Sequence, residues 1–354
     1  MIHDSTPGLS GGTARVAVVV VNWNRRELLR ACLASLAAQD GVEFEVIVVD
    51  NGSTDGSAEM LRREFAAVER FPLRVIENAD NRGFCAANNQ GIGATKADFI
   101  ALLNNDAEAS PGWLAALLGA FSRDDLGMAA SKILVWENPA QIDKAGHLIY
   151  PDGQNRGRGA GETDHGQYDR LEEALWPDGC AAMYRRAMLE EMGGFDEDFF
   201  AYADDAELGL RARMAGWECL YIPRAVVRHH RGATLGVLSM RRIELIERNR
   251  VLLAAKLFPW SLLCLTPFYY AARLAAGAWA AWRGKGEIGR FPDGPTRLQV
   301  ALALLRGDLQ ALRMLPKTLR KRRHVIRRLT PRQVRKLLDR YRIPLRTLSE
   351  SAIG

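Results

Sequence analysis

The sequence predicts an α/β fold: a mostly parallel sheet covered by helices on both faces. Three observations carry this. Apolar, β-branched runs recur without polar alternation, as strands buried on both faces require. Stretches of helical period lie between them. The runs end in clusters of Asn, Asp and Gly, the chemistry of turns at strand ends.

The elements follow in order. Residues 1–14 are polar and Gly-rich, lack the basic-then-apolar build of a secretory signal, and read as a disordered lead. VAVVVVNW (16–23) is a strand. RRELLRACLASLAAQ (25–39) has helical spacing, with Asn24 and Glu27 disposed as a capping box. FEVIVVDNGSTDGS is a second strand closing in a turn. A helix (56–69), a short strand (73–77), a helix (84–94) and the strand FIALLN (99–104) come next. Residues 138–175, rich in Gly, Asp and Arg with little period, read as a long loop or flap. Order returns over 179–223 and 225–234, and from about 240 the chain is helical and strongly apolar.

Ligands of such sheets sit outside the carboxyl ends of the strands. Polar clusters fall there: Asn22, Asp50 to Asp55, and Asn104 to Asp106. Each alone is ordinary turn chemistry; three on one sheet edge outline a site.

Of 354 residues, 48% are hydrophobic and 25% charged, enough for one large core or a core with an appendage. Cys32, Cys85, Cys180, Cys219 and Cys264 are scattered with no C-x-x-C pair, which argues against a disulfide framework or zinc knuckle and fits a reducing compartment. The net charge of +6 is uneven: residues 306–354 carry 15 Lys and Arg against three acids. A basic tail on a mildly acidic body points to a polyanionic partner, a membrane surface or nucleic acid. No recognised reader motif accompanies it, so nucleic acid is not expected.

In the apolar stretch 251–282, Pro259, Pro267, Lys256 and Arg273 interrupt the uniform run that a membrane span needs. Two amphipathic helices in the membrane interface fit better, with Trp260, Tyr269, Tyr270, Trp279 and Trp282 as anchors. The basic tail would then meet anionic headgroups at about 1 kcal/mol per residue. The alternative is a helical subdomain packed on the core or in a homodimer.

The blocks VVVNWN (19–24), VVDNGSTDGS (48–57), NRGFCAANNQGI (81–92), ALLNNDAE (101–108), GGFDEDFFAYADDAELGLR (193–211) and VVRHHRGAT (226–234) together resemble inverting nucleotide-sugar glycosyltransferases of the family 2 type. Within that family the chain looks most like bacterial rhamnosyltransferase-type enzymes. The resemblance, over about 15–285, implies a GT-A fold: a catalytic domain over 15–238, with a nucleotide-sugar half (15–110) and an acceptor half (111–238). An apolar helical region (239–305) and a basic helical tail (306–354) follow.

Residue roles come with it. The D-x-D of the family reads Asn104-Asn105-Asp106 here, so Asp106 is the one carboxylate of that motif available to a Mg²⁺ or Mn²⁺ ion. His229, three residues before Gly232, is implied as the second ligand. Asp50 is expected to accept the ring N–H of uracil or thymine, with Asn22, Asn24, Asn51, Arg82, Gly83, Asn89 and Asn104 around the nucleotide. In YADDAEL, Asp205 aligns with the family's general base and Asp204 is the runner-up; Glu207 and Arg211 read as a surface or supporting ion pair. Trp176, Asp178, Gly179, Gly194, Phe195 and Asp196 are expected at the acceptor.

The expected activity is inverting transfer of a sugar, with L-rhamnose from dTDP-rhamnose leading and UDP-galactofuranose or a UDP-hexose as alternatives. The acceptor would be a polyprenyl-diphosphate-linked glycan, met at the cytoplasmic face of the membrane. A sugar-nucleotide pyrophosphorylase would carry a Gly-rich basic loop after the first strand, where this chain has NWNRREL. An inactive scaffold is opposed by Asp106, Asp205 and His229.

Overall fold

A computed structural model describes residues 2–3, 15–65, 68–232, 239–283 and 296–350. The strands are β1 (Ile2–His3), β2 (Val16–Asn22), β3 (Phe44–Asp50), β4 (Leu73–Glu77), β5 (Phe99–Leu103), β6 (Ala107–Ala109), β7 (Leu126–Val135), β8 (Ile142–Lys144), β9 (His147–Ile149), β10 (Asn155–Gly157), β11 (Glu172–Glu173), β12 (Ala181–Arg185) and β13 (Glu218–His229). The helices used below are α1 (Arg26–Ala37), α2 (Ser57–Glu64), α3 (Phe84–Gly93), α4 (Trp113–Gly119), α5 (Arg186–Met192), α6 (Asp204–Met214), α7 (Met240–Leu257), α8 (Trp260–Leu263), α9 (Thr266–Trp282), α10 (Arg297–Arg322) and α11 (Pro331–Arg340).

The main sheet runs β1-β4-β3-β2-β5-β12-β7-β13-β11. Its first half, β4-β3-β2-β5, is parallel, and β12 then runs antiparallel between β5 and β7. Each face is buried, and the period of two shows directly in β2. Val16, Val18 and Val20 join the core under α1, α2 and α4, while Ala17 and Val19 join the core under α3, α5, α6 and α7. Both-face burial makes these runs uniformly apolar.

Several expectations are corrected. Asn24 does not cap α1: it and Arg25 are left-handed (φ 59° and 68°), and the Asn24 side chain instead accepts the backbone N–H of Thr54 at 2.9 Å. Of the expected disordered lead, Ile2–His3 pairs with β4 and residues 4–14 lie outside the described residues. The stretch 138–175 is not a structureless flap; β8, β9, β10 and β11 run through it.

In the C-terminal region, the alternative of a helical subdomain packed on the core describes α7 and α10. α7 packs on the catalytic core, with Leu252, Leu253 and Leu257 fully buried, and α10 packs along α7. The two cations that break the apolar stretch are core ion pairs: Lys256 meets Asp196 and Glu207, and Arg273 meets Asp152 and Glu247. Glu207 and Arg211 are therefore a buried bidentate pair (2.8 Å each) rather than a surface one. Much of the basic tail is also engaged by the body, with Lys321 on Asp196 and Asp198 and Arg328 on Glu191. Tyr270 turns inward to donate to Asp308 at 2.6 Å and Tyr269 packs on Tyr150, whereas Trp260, Trp279 and Trp282 stay exposed. Among the described residues no helix is long and apolar enough to cross a membrane.

Candidate active site

A cavity of about 310 Å³ opens at the carboxyl ends of β2, β3 and β5. Its edge is a hydrogen-bonded net made by strand register. Asn22 and Asp50 are partners in the β2–β3 ladder, so the Asn22 amide donates to Asp50 Oδ2 and Ser53 Oγ, each at 3.0 Å. Asn105 donates to Asn22 Oδ1 at 2.7 Å, tying the Asn104–Asp106 turn to the first strand. Asn51 donates to Asn81 Oδ1 (2.9 Å) and accepts from the Arg82 backbone (3.1 Å), which shapes the loop before α3. Asn51 and Asn104 line the cavity; Asn22 and Asp50 are buried behind it.

Asp106 and His229 meet because β6 pairs antiparallel with β13, His229 opposite Ala107. His229 Nε2 lies 3.5 Å from Asp106 Oδ1, a buried oxygen with no hydrogen-bond partner among the described residues. On its other side His229 Nδ1 is 2.8 Å from Asp143 Oδ2, and Asp143 Oδ1 pairs with Arg231 Nε at 3.0 Å. A proton shared with Asp143 sits on Nδ1, so a divalent ion would take the Nε2 lone pair in exchange for the second ring proton, as in carboxylate–histidine–metal arrangements. Burial lowers the His229 imidazole, but Cys180, Asp106 and Asp143 outweigh it and raise it well above its ordinary value. The place is built for positive charge, and an orphaned carboxylate oxygen beside an imidazole nitrogen fits a divalent ion. His147, Asp178 and Asp205 also offer ligand atoms within 4.8 Å of one another. There, however, Lys144 Nζ already stands 2.7 Å from Asp178, so a cation's charge is supplied.

The acids opening α6 are presented by a strained loop. Phe200, Tyr202 and Ala203 all have positive φ (64°, 68° and 54°), a conformation costly for residues with a Cβ. α7 holds it: the Asn249 amide lies 2.9, 2.8 and 2.7 Å from the carbonyls of Phe199, Ala201 and Tyr202, and Arg248 donates to Phe199 O at 2.7 Å. Gly83 (φ 88°) leaves room for the same loop, since an added Cβ would fall 2.5 Å from the Phe200 ring.

Asp205 accepts the backbone N–H groups of Ala206 (2.7 Å) and Gly179 (3.3 Å). Burial raises both carboxyls above the ordinary range, Asp204 further because Asp205 stands beside it; His147 and Lys144 pull Asp205 back. Of two neighbouring carboxyls sharing a site, the one facing the cations ionises first. Asp205, which faces Lys144 and His147, is the better placed of the two to lose its proton, and Asp204 the more strongly held in its neutral form. Asp178 shows the converse, held well below the ordinary range by Lys144 and His147 although burial would raise it.

Asp178 and Gly179 line the cavity with Asp106, His229, Asp204 and Asp205. The other expected residues lie outside its lining. Arg82 is exposed. Asn89 exchanges two 2.9 Å bonds with the Phe195 backbone, and Gly194 packs against that amide. Phe195 is core, Asp196 holds Lys256 and Lys321, and Trp176 is buried against His147. Sequence reasoning missed Asp143, Lys144 and His147, all in three-residue strands too short to show a period. The one available signal was Asp-Lys-x-x-His within a Gly-rich stretch.

The family model for glycosyl transferase family 2 matches residues 17–193, and that for glycosyl transferase family group 2 matches 161–282. The chain is 30% identical over 245 residues to N-acetylglucosaminyl-diphospho-decaprenol L-rhamnosyltransferase of Mycobacterium tuberculosis, covering 62% of this chain and 77% of that one. It is 29% identical over 264 residues to O-antigen biosynthesis protein RfbC of Myxococcus xanthus, covering 70% of this chain and 19% of the relative. Among solved structures it resembles mannosyltransferase PcManGT from Pyrobaculum calidifontis in complex with GDP-Man and Mn²⁺ (TM-score 0.54, 20% identity, 95% of this chain and 89% of that one). It also resembles GalNAc-T7 with UDP, GalNAc and Mn²⁺ (TM-score 0.57, 14% identity, 87% and 57%).

Proposed function

The chain belongs to glycosyltransferase family 2 and has the GT-A fold, and on that premise we propose that it transfers L-rhamnose from dTDP-rhamnose, with inversion, to a polyprenyl-diphosphate-linked glycan. The observation that carries the reading is one cavity lined by both the Asp106–His229 pair and the Asp204–Asp205 carboxyls. The choice of sugar and acceptor is supported by the likeness to a decaprenol-linked rhamnosyltransferase.

Transfer is a single displacement. The acceptor hydroxyl attacks the anomeric carbon, the bond from that carbon to the diphosphate oxygen breaks on the opposite face, and the hydroxyl proton passes to Asp205. Asp106 and His229 would hold a divalent ion, Mn²⁺ or Mg²⁺, whose charge offsets that of the departing diphosphate. Asp50, Asn22 and Asn51 shape the nucleotide end of the cavity. Asp204, protonated, donates rather than accepts, which suits it to an acceptor oxygen.

The setting we propose is the cytoplasmic face of a membrane. On α10, Leu298, Leu302, Leu305, Leu309 and Leu312 are exposed at spacings of three and four, one face of the helix, and α9 leaves Phe268, Trp279 and Trp282 exposed. A lipid-linked acceptor gives such a face its use. Free cysteines agree with a reducing compartment.

The test is thermal stabilisation by dTDP-rhamnose, UDP-galactofuranose, UDP-GlcNAc and GDP-mannose, each with and without Mn²⁺ or Mg²⁺. It is followed by mass-spectrometric assay of transfer to N-acetylglucosaminyl-diphospho-polyprenol. Metal-dependent stabilisation by dTDP-rhamnose and a product heavier by one deoxyhexose is the expected result. Stabilisation by another donor alone would replace the sugar assignment.

A further inference from the structure

His147 has no part in the reaction described above. It lines the cavity from β9, only 5% exposed, stacked on Trp176 with ring centroids 5.8 Å apart. Its Nε2 lies 2.8 Å from Asp178 Oδ2 and 3.5 Å from Asp205 Oδ2. A ring nitrogen between two carboxylate oxygens carries the proton, because a bare lone pair there would face two acceptors. The carboxylate that aims it is itself held at two points: Lys144 Nζ at 2.7 Å on Oδ2 and the Cys180 backbone N–H at 2.8 Å on Oδ1. Lys144, Asp178 and His147 thus form a chain of fixed geometry that ends at Asp205.

The groups facing Asp205 come from four elements and the loop before β12. Asp204 adjoins it on α6, Asp178 precedes β12, Tyr184 lies on β12, Lys144 on β8 and His147 on β9. Asp178 is an anion and opposes ionisation of Asp205, and Asp204 adds a second anion whenever it loses its proton. Lys144 makes its close contact with Asp178. His147 is the one side-chain N–H donor among these groups that approaches Asp205 itself.

We propose that His147 is a positioning residue: its Nε2–H, aimed by Asp178 and Lys144, keeps Asp205 ionised and oriented to take the acceptor proton. This rests on Asp205 being the base, so the experiment separates the two claims. Carboxyl-carbon NMR of the full chain, labelled at Asp, follows the Asp205 titration, its resonance assigned by loss in Asp205→Asn. His147→Phe keeps the stacking on Trp176 and removes the donor; His147→Ala serves if the Phe variant fails to fold.

The expected result is an Asp205 midpoint shifted upward, because a hydrogen-bond donor to the charged form is lost. His147→Gln, whose amide still donates, should bring the midpoint part of the way back. The acid limb of kcat against pH should move with it, while KM for the donor stays. An unmoved midpoint in both Phe and Ala variants, or a loss of turnover uniform across pH, overturns the role of His147. Asp205→Asn turning over near the wild-type rate would instead remove the base assignment, whatever the titration shows.

Discussion

Asp106 Oδ1 and His229 Nε2 stand 3.5 Å apart, and among the described residues the carboxylate oxygen has no hydrogen-bond partner. The β6–β13 ladder sets the spacing, and Asp143 on the far side of the imidazole sets the tautomer. Asp106→Ala should abolish the gain in nucleotide binding that Mn²⁺ gives. Asp143→Asn, which touches no ion, should weaken Mn²⁺ about 10–100-fold. Calorimetric titration of dTDP with and without Mn²⁺ checks both, and equal Mn²⁺ affinity in wild type and Asp106→Ala would remove Asp106 from the site.

Asp205→Asn should lower kcat by about 10²–10⁴, the usual worth of a general base, with donor binding retained. Asp204→Asn keeps a donor where the protonated carboxyl had one, and should lose much less. Comparing the two variants under saturating donor decides which acid takes the proton.

The pH dependence of stability has a defined sign at Asp204. Its carboxyl is raised well above the ordinary range by burial and by Asp205. A group raised in this way contributes stability that is full below the unfolded-state value, about 3.9, and is lost as pH rises through the folded value. Asp204→Asn removes that loss, so at pH 8 it should melt higher than wild type by about 2–4 °C. The gap should close towards pH 4. Melting curves across that range test it, and a constant gap would contradict the assignment.

Asn249 should matter to turnover without touching substrate. Its amide holds the carbonyls of Phe199, Ala201 and Tyr202, which keeps three left-handed residues in place before Asp204. Asn249→Ala should cost about 1–3 kcal/mol of stability and lower kcat while KM for the donor stays. Unchanged kcat with lowered melting temperature would mean the loop holds its own shape.

The basic tail should prove structural before it proves membrane-seeking. Burial would raise the Asp196 carboxyl, but Lys256 and Lys321 lower it to about 2. Its contribution is present above about pH 4 and lost as pH falls towards 2, so Asp196→Asn should cost about 2 kcal/mol at pH 7 and little at pH 2.5. Deleting residues 297–354 removes Lys321 and the packing of α10 on α7, and should lower the melting temperature of the catalytic domain. A truncated chain as stable as the whole, yet released from anionic vesicles, would restore the tail as a lipid-binding appendage.

The parallel strands β2, β3, β4 and β5 were legible because burial on both faces forces a local, uninterrupted apolar run, and their ends were legible because turns need Asn, Asp and Gly. The motif residues Asp106, Asp204, Asp205 and His229 could likewise be named from the sequence, and all four line the cavity. Asp143, Lys144 and His147 could not. They sit on three-residue strands, β8 paired with β7 and β9 with β10, too short for any period to mark them, and only the folded sheet carries them to Asp178, Asp205 and His229. The same holds for Lys256 and Arg273. In sequence they are interruptions of an apolar helix, and only the fold brings Glu207, Asp196, Glu247 and Asp152 to them. Hydrophobic patterning is a property of neighbours along the chain, so the sequence by itself determined the sheet and its active edge. The partner of a buried charge is a property of neighbours in space, so the tertiary structure alone decided which acids face Lys144, Lys256 and Arg273 and that the C-terminal helices pack on the catalytic body.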